Sequence, residues 1–267
     1  MTIDANVRAG LLALVDERQA ELISLVQTLI RFPSENPGGS SVEITEYIAG
    51  YLAKYGIGSE HLVAHGDYHN LVARMGTSKP GGRTLVLCGH SDVVPAGDPG
   101  RWSFDPFCGE VRDGYILGRG TSDMKAGLAG LIFAMALLKE QGIELPGELV
   151  LAVVDEEETG GTYGARWVLE QGHVKGTAAL IAEPSSPHEP TIGQKGSAWS
   201  KLTFTGRPGH GSLAPIEGES AILKAARATI ALQKLFEMPV TVPDDIKEVV
   251  EISKAYIRRE RANPRSA

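Results

Sequence analysis

Two apolar runs of strand length, TLVLCG at 84–89 and ELVLAVV at 148–154, flank a long apolar stretch of helical length at 126–141 that stops near Gly142. Strand, helix and strand in that order predict a right-handed crossover between parallel strands. The chain is therefore expected to be α/β. Its 32 glycines and 6% aromatic residues suit many tight turns better than a helical bundle. At 267 residues and 42% hydrophobic side chains it can fill one large or two ordinary cores.

The rest of the chain extends this frame. An amphipathic helix is expected over 6–29, a loop over 31–40 where Pro33, Pro37 and Gly38-Gly39 interrupt regular structure, and a helix over 42–55. A strand is expected over 61–75, and a helix over 163–170 leads to a short strand over 178–182. The segment EPSSPHEP at 183–190 concentrates prolines and reads as a hinge between domains. Beyond it, IGQKGSAWSKLTFTG alternates with a partial period of two, and 220–236 is helical, so a second, smaller α+β domain opens here. The last residues read as a charged helix and a polar tail, and there are no internal repeats.

A formal charge of -7 argues against nucleic acid, which needs a clustered basic surface, and favours a small-molecule partner. Two cysteines, Cys88 and Cys108, indicate neither a disulfide framework nor a thiolate metal site. Acids at 16, 17 and 21 interrupt the N-terminal apolar residues, no basic-then-apolar leader precedes them, and no apolar run reaches the length of a membrane span. A cytoplasmic protein without a membrane partner is expected.

The chemistry gathers at strand ends. His90 and Asp92 follow TLVLCG directly, at the carboxyl edge where open α/β sheets bind ligands. Residues two apart in an extended segment point the same way, so Asp92 could orient a metal-bound His90, or simply satisfy a buried histidine. Asp123 in GRGTSDMKAG could cap the long helix or bind a cation. The third strand ends in four acids, 155–158, whose repulsion at an apolar strand end calls for a cation or a proton. The fourth ends in Glu183. Repetition of His90, Asp123, Glu158 and Glu183 at such positions points to metal, and imidazole with carboxylates but no thiolate suits zinc, cobalt or manganese. A shared carboxylate suits a pair of ions about 3.5 to 4 Å apart.

LVLCGHSDVV, WSFDPF, GRGTSDMKAG, DEEETGG, AEP and GRPGHGSLAP occur in this order over 85–222. Together they resemble the co-catalytic zinc family of acetylornithine deacetylase, succinyl-diaminopimelate desuccinylase, aminoacylase and glutamate carboxypeptidase. The resemblance implies a zinc-peptidase-like α/β/α catalytic domain with a mostly parallel sheet, over 1–187. It implies an incomplete α+β lid and dimerisation domain over 188–267, and a homodimer. It also implies a hydrolase of amide bonds in N-acyl amino acids or small peptides, with two Zn2+ ions, Co2+ or Mn2+ being possible substitutes. On this resemblance His90 and Glu183 bind one zinc, Glu158 the other, Asp123 bridges both, and Asp92 orients His90. Glu157 is the general acid and base, with Glu156 and Glu157 as the competing register for the Glu157 and Glu158 pair. A cis peptide is implied at Asp123-Met124. His210 is implied to reach a neighbouring subunit's site and to stabilise an oxyanion.

Two departures stand out. The family's later Gly-x-Asn-Ala appears as GESA, with Ser220 in place of Asn, and no histidine follows His210 to supply the late ligand of the second zinc. The expectation is a C-terminally truncated hydrolase, or alternatively a truncated member that is catalytically impaired or non-catalytic. A carboxylate-pair glycosidase fits poorly, because adjacent acids on one strand do not flank a sugar.

Overall fold

The structure is a computed structural model that describes residues 4–77, 81–185, 199–213 and 216–261. The chain forms two compact units, Met1–Ile192 and Gly193–Ala267. This divide and the expected boundary at 187/188 both fall within 186–198, outside the described residues, as does most of the expected hinge.

In the first unit the N-terminal pattern makes two helices, α1 (Ala5–Glu17) and α2 (Gln19–Ile30), instead of the single helix expected. Arg18 between them leaves helical geometry at φ -101 and ψ 19. Its guanidinium bonds Glu21, Glu140 and Tyr55. The break separates α1, which buries no residue, from α2, which buries Leu25, Val26, Leu29 and Ile30. Helix α3 (Val42–Lys54) follows, burying Ile44, Ile48 and Leu52.

The strand expected over 61–75 is a hairpin of β1 (Ser59–His65) and β2 (Tyr68–Gly76), antiparallel with Leu62 opposite Asn70. Gly66 turns the chain at φ 53, which glycine tolerates because it has no Cβ. Then come β3 (Thr84–His90), a small hairpin of β4 (Glu110–Arg112) and β5 (Tyr115–Leu117), helix α4 (Ala126–Glu140), β6 (Glu148–Val154), α5 (Ala165–Glu170) and β7 (Ala178–Ile181).

The main sheet has the order β1-β2-β6-β3-β7, and only β2 runs against the rest, so four of its five strands share one direction. Helices α2, α3 and α4 cover one face, where Leu29, Ile48, Leu87, Ile132 and Leu151 build the main core. On the other face Val86, Val150 and Ala152 pack with Val168 of α5. Strand β6 shows the period of two, sending Leu149, Leu151 and Val153 to the first core and Val150, Ala152 and Val154 to the second. The result is an α/β/α stack with a mostly parallel sheet.

Helix α4 is apolar all round, as an enclosed helix is. With the turn before it, Thr121–Glu140 has the length and composition of a membrane span, contrary to the sequence expectation. Its side chains Leu128, Ile132 and Met135 are fully buried within the unit. Gly127 brings the start of α4 against the end of β7, since a Cβ there would lie 2.1 Å from the Ala182 carbonyl oxygen.

The described part of the second unit is helical. Ser220 caps α6 (Ala221–Leu232) by accepting the Leu223 amide at 3.2 Å, and α7 (Lys247–Arg261) follows. An antiparallel bridge joins Arg207 and Glu219. The partial alternation noted over 192–206 makes no strand over 199–206, and 192–198 lie outside the described residues. A lone strand leaves its main-chain groups unpaired, and no second strand is present among the described residues of this unit.

Candidate metal centre

Parallel register brings the chemistry to one edge. His90 pairs with Val154, the residue before the acid run, and Cys88 pairs with Ile181, two residues before Glu183. The ends of β3, β6 and β7 therefore deliver an imidazole and carboxylates to the same level.

Asp123 arrives from the turn before α4. Gly120 turns the chain at φ 82, Asp123 and Met124 leave helical geometry, and their peptide is cis, as the family resemblance implied. Helix α4 begins without a side-chain cap, so Asp123 does not serve it as one. Its Oδ1 instead lies 3.0 Å from His90 Nε2.

The acid run divides into two pairs. Asp155 and Glu156 are buried. Asp155 accepts from the Ser41 hydroxyl and from the His69 amide at 3.2 Å. Glu156, held at φ 62, turns its carboxylate to the Tyr163 amide at 2.5 Å. Glu157 and Glu158 face the opening: Glu157 Oε2 is 4.0 Å from His90 Nε2, and Glu158 Oε1 accepts the Val94 amide at 3.3 Å.

His90 is 1% exposed and uses both nitrogens. Nδ1 sits 2.8 Å from the Asp92 carbonyl oxygen and 3.4 Å from its Oδ1. A carbonyl only accepts, so Nδ1 carries a proton, and it is Nε2 whose lone pair becomes available when the ring is neutral. Around that nitrogen stand Asp123, Glu183 at 3.4 Å and Glu157. His90, Asp123 and Glu158 form one set whose candidate ligand atoms lie within 4.8 Å of one another, and His90, Glu157 and Glu183 form another.

Electrostatics mark the crowding. Burial lowers the His90 pKa, but the Asp92 carboxylate and carbonyl and then Glu183 outweigh it and push it up to about 9. Burial lifts Glu183 to about 7, with Asp123 and Glu157 adding to the rise against the pull of His90. Glu158 is also raised, by burial and by Asp123. One imidazolium does not balance five carboxylates, those of Asp92, Asp123, Glu157, Glu158 and Glu183. The donor set fits a divalent cation, because nitrogen and oxygen ligands converge without a competing thiolate. Burial raises the nearby Cys88 thiol to about 11 and keeps it protonated.

A sequence profile of peptidase family M20/M25/M40 matches residues 86–264, from β3 into the C-terminal segment. The chain belongs to this family. Among its M20 relatives, a succinyl-diaminopimelate desuccinylase of Methylorubrum extorquens is 36% identical over 202 residues, covering 70% of this chain and 51% of the relative. An N-formyl-4-amino-5-aminomethyl-2-methylpyrimidine deformylase of Halalkalibacterium halodurans is 36% identical over 207 residues, covering 74% of this chain and 48% of the relative. The chain thus spans about half the length of the curated relatives it matches. Human carnosine dipeptidase 1 shares the fold at TM-score 0.56 and 20% identity, over 64% of this chain and 40% of that one. Aminopeptidase PepT of Bacillus cereus does so at TM-score 0.53 and 23% identity, over 83% and 57%.

Six of the seven residues singled out from the sequence, His90, Asp92, Asp123, Glu157, Glu158 and Glu183, meet in this M20 chain's first unit. His210 belongs to the second, where its Nδ1 lies 2.7 Å from Ser212 Oγ and accepts the Ser212 amide at 3.3 Å. That bond leaves Nε2 as the protonated nitrogen of the neutral ring.

Sequence reading missed the supports. Asn36, 5% exposed, gives its amide to Asp92 and Thr159. Asn70 Oδ1 accepts the Asp155 amide at 3.1 Å. Lys125 is fully buried, with Nζ donating to the Phe32 carbonyl at 2.7 Å, and burial drops its pKa to about 7. Polar residues inside an otherwise loop-like PSENP and a lysine opening an apolar helix were the available signals.

Proposed function

We propose that this M20 chain supplies most of the metal centre of a hydrolase that cleaves amide bonds in N-acyl amino acids or small peptides. The observation that carries the reading is the convergence of His90 Nε2 with the carboxylates of Asp123, Glu157, Glu158 and Glu183 at one sheet edge. In this reading His90 and Glu183 hold one zinc, Glu158 the other, and Asp123 is shared; cobalt or manganese are substitutes. Such ions, when bound, acidify water and polarise a carbonyl.

The protein's own groups do the rest. Glu157, exposed beside His90, takes the proton of the attacking water and returns it to the departing nitrogen. Asp92 fixes the His90 ring so that Nε2 faces the ions. The inward turn of Glu156 supports Glu157 and Glu158 as the working pair. His210 is proposed as a donor to the developing oxyanion, supported by the Ser212 bond that leaves its Nε2 protonated. The relatives named desuccinylase and deformylase support amide substrates. A homodimer and a cytoplasmic location belong to the same proposal, the latter supported by two unpaired cysteines.

A second reading is a family member that binds metal but is catalytically impaired or non-catalytic. One experiment separates the two. The chain is loaded with zinc or cobalt and assayed against N-acetylornithine, N-succinyl-diaminopimelate, another acyl-amino acid and a dipeptide. Chelator-sensitive hydrolysis supports the enzyme, tight metal without turnover supports the impaired member, and absence of metal binding removes both.

A further inference from the structure

We infer that Asn36 is a positioning residue of the metal centre, clamping the ends of β3 and β6 together through the two hydrogens of its side-chain amide. The inference rests on the metal reading proposed above.

Asn36 is itself firmly placed. Residues 34–36 run beside 91–93: the Asn36 amide donates to the Val93 carbonyl at 2.8 Å, and the Val93 amide donates to the Ser34 carbonyl at 2.9 Å. The Ser34 hydroxyl adds a bond to the Ser91 carbonyl at 2.5 Å. From this footing Nδ2 donates to Asp92 Oδ2 and to Thr159 Oγ1, each at 3.0 Å. One partner follows β3 and the other follows β6. The two N–H bonds of a planar amide diverge at a fixed angle, so satisfying both sets the separation of Asp92 and Thr159.

Each partner passes that constraint to the site. Asp92 also accepts the amides of Glu157 and Glu158, both at 3.2 Å, while its Oδ1 faces His90 Nδ1. Thr159, its oxygen already accepting from Asn36, points its hydroxyl at Glu156 Oε1, 3.4 Å away. Loss of the Asn36 amide leaves Asp92 Oδ2 with one donor fewer and frees its carboxylate to rotate. The imidazole and the Glu157 and Glu158 pair then lose their common reference.

The test uses the full chain, with zinc affinity by chelator competition, the visible spectrum of bound cobalt, and circular dichroism with melting as the folding control. Asn36→Ala is expected to fold, to bind zinc about 10-fold or more weakly, and to alter the cobalt spectrum, as loss of a ligand's supporting bond does. Thr159→Val changes an exposed side chain and keeps its shape; it is expected to weaken zinc binding by about 3-fold. The double variant should stay within about 2-fold of Asn36→Ala, because both remove one linkage. A folded Asn36→Ala with the parent affinity and spectrum overturns the inference, and if Asn36→Ala does not fold, an unchanged Thr159→Val overturns it. If the parent chain binds neither ion, the metal reading itself fails, a result visible before any variant is made.

Discussion

The main-chain amide of Glu158 donates to Oδ2 of Asp92 at 3.2 Å, although the two residues stand at the ends of different strands. Asp92 is 1% exposed, so this carboxylate is a buried charge, satisfied by the His90 ring, the Asn36 side-chain amide and the main-chain amides of Glu157 and Glu158. Burial raises its pKa, but the His90 and Asn36 bonds reverse the effect and hold it below the ordinary value.

Asp92→Asn is therefore expected to weaken metal binding by about 10- to 100-fold, since an amide cannot accept at every position where the carboxylate does. Zinc titration of the folded variant checks it. Unchanged affinity would show that the His90 ring is held by the Asp92 carbonyl alone.

Glu157 and Glu156 should respond differently to the same change. Glu157→Gln is expected to lower metal-dependent turnover by about 10²- to 10⁴-fold with metal content retained. Glu156→Gln, which weakens the bond to the Tyr163 amide, should lower the melting temperature more than it lowers turnover. Metal analysis, rate and melting on both variants decide the register. Loss of metal in Glu157→Gln and not in Glu156→Gln would reverse the assignment.

The stability that His90 and Glu183 contribute to the metal-free protein should fall as pH rises. His90 is raised from 6.5 to about 9 and Glu183 from 4.5 to about 7, so the folded state holds protons that the unfolded chain releases. Their contribution is complete below the ordinary pKa and disappears through about 4.5 to 7 for Glu183 and about 6.5 to 9 for His90. A cation replaces those protons, so the gap in melting temperature between zinc-loaded and chelated protein should widen from about pH 5 to about pH 8. A constant gap would contradict it.

Gly127→Ala should be costly despite the good helix propensity of alanine. The added Cβ meets the Ala182 carbonyl oxygen at 2.1 Å, and relief requires α4 or the end of β7 to move, with Glu183 next in the chain. A loss of about 1 to 3 kcal/mol in denaturant unfolding is expected, with weaker zinc binding. A neutral substitution would show that the two elements separate freely.

Much of this arrangement was legible in the chain. The pattern of 84–89, 126–141 and 148–154 announces strands and helix by apolar period, and residues immediately after a parallel strand must lie at its carboxyl edge. What stayed hidden depends on partners distant in sequence. Gly66-Asp67 reads weakly between two apolar segments and conceals a hairpin, and the kink at Arg18 follows from bonds to Tyr55 and Glu140. Whether Asp123 caps a helix or faces His90 turns on backbone geometry at 123–124 that no periodicity encodes. The acid run 155–158 left its register open because burial alone sorts its inward from its outward members.

Zinc-edge anomalous diffraction from crystals of the zinc-loaded chain tests the central claim most directly. The account predicts anomalous peaks at ligand distance, about 2.0 to 2.2 Å, from His90 Nε2 and from carboxylate oxygens of Asp123, Glu158 and Glu183. Peaks confined to other side chains, or none in the presence of zinc, would contradict it.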